Sequence, residues 1–220
     1  MSKTKVLIFT LLVFRTALLF ADNNAGPLDG FVFESLDVHS HTLSNDSARC
    51  IVIDDDGYVW IGTRIGLNRY DGTRTRVFLK DETGLDSDFI YSLYVAQDGS
   101  IWVGTMDGIA RYDKLTDSFM VPVDESGQPI HGCINSITGD KDGVIWFDNY
   151  GPDLYSFNLN DGFIRRHSLG LTDSRKRLAF DIDGRLIVCS SCDDLYIYVL
   201  EAGSLRRIQV NGLTCSFKGD

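Results

Sequence analysis

Apolar and polar positions alternate in short bursts along this chain, and the bursts come back at a nearly constant interval. Arg49-Cys50-Ile51-Val52-Ile53 is rich in β-branched residues and runs into the turn Asp54-Asp55-Asp56-Gly57. Tyr58 to Thr63 follows, then Leu67-Asn68-Arg69-Tyr70-Asp71 with clean apolar–polar alternation, then the turn Asp71-Gly72 and the burst Thr75 to Leu79. A period of two with Asp-Gly turns between bursts predicts antiparallel strands joined by tight hairpins. The same order follows Phe89 to Val95 in the next stretch, and no segment beyond the N-terminal one has helical periodicity.

The interval itself carries the architecture. Asp56-Gly57-Tyr58-Val59-Trp60-Ile61-Gly62-Thr63 returns as Asp98-Gly99-Ser100-Ile101-Trp102-Val103-Gly104-Thr105. It returns again, worn, as Asp142-Gly143-Val144-Ile145-Trp146, and a fourth time without its Trp as Asp183-Gly184-Arg185-Leu186-Ile187. The glycines at 57, 99, 143 and 184 are 42, 44 and 41 residues apart. An apolar residue repeats independently at Leu43, Leu85, Ile130, Leu171 and Leu213. A period in this range signals a repeat architecture, and four antiparallel strands per unit make a β-propeller blade. The fold class is therefore all-β, with about four blades at 43–84, 85–129, 130–170 and 171–212. In such a blade the first strand lines the central channel and the fourth the rim. Trp60, Trp102 and Trp146 are expected between neighbouring blades, Gly62 and Gly104 at close strand approaches, and Thr63 and Thr105 on local backbone groups.

Both ends qualify the picture. Lys3 and Lys5 precede the apolar run from Val6 to Phe14, and Ala21 stands before the polar Asp22 to Pro27, which reads as a signal peptide over 1–21 and a linker over 22–30. Arg15 within the apolar stretch argues against the alternative, an uncleaved membrane anchor. Val210 to Thr214 reads as the linker into a fifth blade, so residues 213–220 are expected to open a truncated blade and the ring to be incomplete. Phe31-Val32-Phe33 has the character of an outer strand awaiting a last blade.

The 220 residues carry a formal charge of −10, which argues against a nucleic-acid partner. Catalytic motifs are missing: there is no Gly-x-Ser-x-Gly elbow, no His-Glu-x-x-His and no phosphate loop. Five cysteines, Cys50, Cys133, Cys189, Cys192 and Cys215, follow no disulfide framework. Cys189-Ser190-Ser191-Cys192 is a single CxxC; a structural role, a local disulfide, and metal or redox work are its open readings. His39 and His41 share one side of an extended segment with nothing nearby to complete a metal site. The acidic turns at Asp54 to Asp56 and at Asp140 and Asp142 lack the closing Glu of a calcium loop and read as hairpin chemistry. No metal or cofactor is expected. The third and fourth units gain a residue between their second and third strands. Asp148, Asn149 and Tyr150 there combine carboxylate, amide and aromatic, a set suited to a sugar, and are the candidate ligand-binding residues.

The spacing Asp-x-x-Gly-x-(Ile/Val)-Trp-(Ile/Val)-Gly-Thr-x-x-Gly-(Leu/Ile)-x-Arg-Tyr-Asp resembles the two-component regulator propeller repeat. Asp54 to Asp71 and Gln97 to Asp113 match it, and Thr83-Gly84-Leu85-Asp86-Ser87 matches its linker. The resemblance covers about residues 31–215 and weakens where Trp146-Phe147-Asp148-Asn149 and Ile187-Val188-Cys189-Ser190 replace Trp-Ile-Gly-Thr. It implies a periplasmic sensor of a hybrid two-component system, binding a glycan fragment. It also implies a histidine kinase and output modules that this chain does not contain, an inner-membrane anchor in the full-length form, and the kinase part or a second copy as partner. The segment itself is then no enzyme. Two alternatives stand beside it: a propeller lyase, which needs a His and a Glu at one channel mouth, and a structural or adhesive propeller.

Overall fold

The computed structural model describes residues 36, 43–169, 176–190, 195–201 and 204–208. The expected signal peptide and linker, Phe31 to Phe33, His39, His41, Cys192, Cys215 and the start of a fifth blade lie outside the described residues.

The described chain forms four antiparallel sheets of four strands each. The first holds β1 (Ala48–Ile53), β2 (Val59–Thr63), β3 (Leu67–Tyr70) and β4 (Thr75–Phe78). One helical turn, α1 (Lys80–Thr83), leads to β5 (Ile90–Val95), β6 (Ile101–Thr105), β7 (Gly108–Asp113) and β8 (Ser118–Met120). The third sheet is β9 (Ile137–Gly139), β10 (Ile145–Asp148), β11 (Asp153–Phe157) and β12 (Ile164–Ser168). The fourth is β13 (Lys176–Phe180), β14 (Leu186–Ser190), β15 (Leu195–Glu201) and β16 (Ser204–Ile208). Strand order follows chain order in every sheet, and β1 neighbours β5, β5 neighbours β9 and β9 neighbours β13. This is the expected propeller arrangement, with inner strands side by side; among the described residues the sheets do not close into a ring.

In three of the four blades an aspartate builds the hairpin between first and second strands. One Asp54 carboxylate oxygen accepts the Asp56 and Tyr58 amides at 3.1 and 2.9 Å, and the other accepts Trp60 Nε1 at 2.8 Å. Asp140 repeats this with Asp142, Val144 and the Trp146 indole. In the second blade Ala96 holds the aspartate's position, and Ser100 Oγ takes the Trp102 indole at 3.1 Å. In the fourth the Trp is absent and the Arg185 side chain fills its place on Asp181 at 2.7 Å. The acidic turns thus bond to backbone amides and to the tryptophans, and no group of metal-ligating side chains forms among the described residues.

The tryptophans anchor one blade to the next. Trp60 is fully buried, stacks on Phe78 of its own blade at 5.6 Å and meets Tyr112 of the second blade edge-on at 4.9 Å. Trp102 packs with Phe157 of the third blade, and Trp146 with Phe180 of the fourth. Aromatic pairs of this kind add about 0.5–1.5 kcal/mol each beyond area burial. Gly62 and Gly104 lie where the next blade's inner strand presses closest: a Cβ on Gly62 would stand 2.6 Å from Ile90 Cγ2, and one on Gly104 2.6 Å from the Ile134 carbonyl. Thr63 and Thr105 hydroxyls donate to the carbonyls of Gly66 and Gly108 at 2.9 and 3.1 Å, closing the loops beyond.

Candidate functional site

The four inner strands start at one end of the blades, where the loops between second and third strands also lie. Residues 49, 91 and 135 hold equivalent places there, and Arg177, on a strand without a bulge, takes the place that Cys50 and Ser92 hold against the second strand. In blades one and two the position of residues 49 and 91 is a β-bulge. Ala48 pairs with Thr63 and Cys50 with Gly62, leaving Arg49 as the extra residue; Ile90 pairs with Thr105 and Ser92 with Gly104, leaving Tyr91. A bulge re-aims the side chain that it frees. Arg49, Tyr91, Asn135 and Arg177 consequently line one cavity of about 410 Å³ at the mouth of the channel.

The mouth is polar and its floor apolar. The Arg49 guanidinium lies over the Tyr91 ring at 4.4 Å and near the Phe89 ring at 5.2 Å, while these two rings stack at 4.6 Å. Asn135 is buried and its Nδ2 donates to the Lys176 carbonyl at 2.9 Å. Leu93 and Ile137, two residues further along their strands, line the floor. The Cys50 thiol borders the cavity, and burial pushes its pKa up to about 12, with the Arg49 and Arg177 charges opposing the rise. At that value the thiol is neutral and not a nucleophile near pH 7.

Asp148, Asn149 and Tyr150 sit at this same end, in the third blade. Asp148 has no solvent exposure. Its carboxylate accepts the Ser136 amide at 2.9 Å and faces the charge of Lys176, itself fully buried with its ammonium on the Gly151 carbonyl. Asp148 replaces Gly62 and Gly104, and Lys176 replaces Ile90 and Ile134. Where blades one to three meet through Gly against Ile, blades three and four meet through Asp against Lys. Burial raises the Asp148 carboxyl to about 6 in spite of Lys176 and the backbone donors. Asn149 is held by the His131 carbonyl and the Tyr155 hydroxyl at 3.2 and 3.3 Å. Tyr150 is half-buried and adopts φ 64°, an uncommon conformation for a residue with a Cβ. Asn149 and Tyr150 thus reach the surface on the mouth side, and Asp148 lies beneath it.

The described histidines are elsewhere. His131 is exposed beside Asp107 at 3.5 Å, and His167 shares a 2.7 Å hydrogen bond with Ser156 and packs on Trp146. Burial lowers the pKa of His167. The mouth residues Arg49, Tyr91, Asn135 and Arg177 escape a search for repeated motifs because they are where the four copies disagree. Variation where otherwise similar inner strands begin is the signal that would have found them.

The two component regulator propeller pattern matches residues 42–64 and 84–107, covering the first two hairpins with their tryptophans and the linker into the second blade. These two segments are similar to the two component regulator propeller repeat. No curated protein matches. Among solved structures, the extracellular domain of a putative hybrid two-component system from B. thetaiotaomicron is 26% identical, with a TM-score of 0.62 over 76% of this chain and 22% of its own. A second such domain from the same organism is 22% identical, with a TM-score of 0.67 over 80% of this chain and 26% of its own. A virginiamycin B lyase from Staphylococcus aureus is 20% identical, with a TM-score of 0.59 over 78% of this chain and 59% of its own. At these lower identities the likeness is one of fold. The chain spans about a fifth of the first of these structures. No helix among the described residues is long and apolar enough to cross a membrane.

Proposed function

We propose that this chain is a two-component regulator propeller and part of a ligand-sensing module outside the cytoplasmic membrane, binding a glycan fragment at the channel mouth and signalling through a histidine kinase. The observation that carries this reading is the mouth itself. On a scaffold whose other positions repeat, four residues where the inner strands begin diverge into guanidinium, phenol and amide groups around one cavity. Ligand sites combine an apolar wall with a few convergent polar groups, and 410 Å³ is within the usual range of about 300–1,000 Å³. Asn149 and Tyr150 do not line this cavity but stand at the same end of the blades, and in this reading they meet the parts of a saccharide that project beyond it. The apolar N-terminal segment serves export to the periplasm, and the full-length form is held at the inner membrane. The kinase part or a second copy is the partner.

The segment works by binding rather than by chemistry. A lyase needs a proton-transfer pair at the mouth, whereas His131 and His167 lie away from the cavity. Thermal-shift measurements against a panel of plant and host oligosaccharides test the reading. One or more members should raise Tm, and Asn149→Ala with Tyr150→Ala should reduce the shift. A panel without any shift, or turnover of a bound saccharide by the chain, would refute it.

A further inference from the structure

We infer that the ligand of the channel mouth carries an oxyanion, a carboxylate or a sulfate ester on a saccharide, bound between Arg49 and Arg177. This rests on the sensing reading and adds the charge of the ligand to it. The chain has 31 acidic and 21 basic residues, so a cavity taken at random should hold more carboxylates than cations. The mouth inverts that balance: two guanidinium groups line it and, among the described residues, no Asp or Glu does. Arg69, Arg76, Arg111, Arg165, Arg166 and Arg185 each hold an aspartate. Arg49 and Arg177 are exposed and pair with no carboxylate among the described residues; Arg177 donates only to the Asn135 carbonyl, at 3.4 Å.

The geometry is one of preparation. Arg49 leaves its strand at a bulge and rests on the Tyr91 ring, which fixes the guanidinium plane and leaves its edge donors for an acceptor. Arg177 approaches from the fourth blade across the same cavity. Asp148, which feels the Arg177 charge, is fully buried, outside the cavity lining, and faces Lys176. The hydroxyls of Ser47 and Tyr91 border the cavity and supply partners for sugar hydroxyls. A guanidinium fork matches a planar carboxylate or a sulfate edge with two parallel hydrogen bonds. The overall negative charge of the protein then disfavours anions everywhere except here.

Isothermal titration of the full chain at low ionic strength tests this with four probes: digalacturonate, a sulfated chondroitin disaccharide, neutral cellobiose and sodium sulfate. The acidic saccharides should bind more tightly than cellobiose, and added salt should weaken them. Arg49→Gln and Arg177→Gln should each weaken the acidic saccharides by about 10-fold or more, the usual loss for a hydrogen bond to a charged group. Both side chains are exposed, so the variants should melt like the wild type. The two acidic probes distinguish carboxylate from sulfate as the group recognised. If cellobiose binds as tightly and is indifferent to both substitutions, the charge inference falls and the sensing reading stands. If no saccharide binds, both fall. Binding of sodium sulfate alone would mark an adventitious ion only and would also overturn the inference.

Discussion

The exchange of Gly and Ile for Asp and Lys between blades three and four makes a prediction that can be worked through. Asp148→Gly removes the carboxylate that faces the fully buried Lys176 and takes the acceptor from the Ser136 amide. Lys176→Ile leaves the Asp148 carboxylate without its cation. The two side chains face each other through charge and through the Lys176 backbone amide, which donates to Asp148 at 3.4 Å, rather than as a direct ion pair, so removing one charge should cost about 1–3 kcal/mol. The double variant Asp148→Gly with Lys176→Ile restores the pairing that Gly62 makes with Ile90 and Gly104 with Ile134. Replacing a whole buried pair by apolar packing is close to neutral, so the double should lie within about 1 kcal/mol of wild type. Urea unfolding followed by tryptophan fluorescence is the assay, since Trp146 sits in this interface beside Phe180. Losses in the double variant equal to the sum of the two singles would show that the residues are not coupled and would refute the exchange.

Three further outcomes follow. Asp148 has a folded pKa of about 6 against 3.8 for an ordinary aspartate, so the folded state binds more protons between these values. Its contribution is present at low pH and lost as pH rises through 6; relative to Asp148→Asn, the wild type should gain on the order of 3 kcal/mol between pH 7 and 4, and a constant difference in urea unfolding would contradict this. Asp98, Asp113 and Asp181 have lowered values and act in the opposite sense on both proteins alike, which is why the difference must be read. Gly104→Ala should cost about 1–3 kcal/mol by pressing on the Ile134 carbonyl, whereas Gly143→Ala has open space and should lose only about 1–2 kcal/mol from its φ of +79°; thermal melts of the two, with Gly104→Ser lower still, check the order. Cys50 should resist iodoacetamide in the native protein at pH 8 and react on unfolding, as mass spectrometry would show; rapid native labelling would contradict the neutral thiol.

Much of the scaffold was legible because its residues act locally or repeat. Asp54 and Gly57 make their hairpin within a few residues, and Trp60, Trp102 and Trp146 announce the blade register by recurring. The erosion at Trp146 to Asn149 was visible as well, but not its cause. Asp148 makes sense only beside Lys176, 28 residues later in sequence, because the two changes compensate across an interface between blades. The mouth was illegible for the opposite reason to the scaffold. Arg49, Tyr91, Asn135 and Arg177 meet through the topology of four separate units, and each looks like an unremarkable strand residue until the inner strands are set side by side. The bulges that aim Arg49 and Tyr91 have no mark in a sequence that alternates through them.

Amide hydrogen exchange with and without a bound saccharide tests most directly whether the channel mouth is the binding site. The account predicts added protection at 47–50, 91–93, 135–137 and 177, the segments that line the cavity, together with the loop at Asn149 and Tyr150. Protection confined to the outer strands β4, β8 and β12, with the inner-strand starts unchanged, would contradict it.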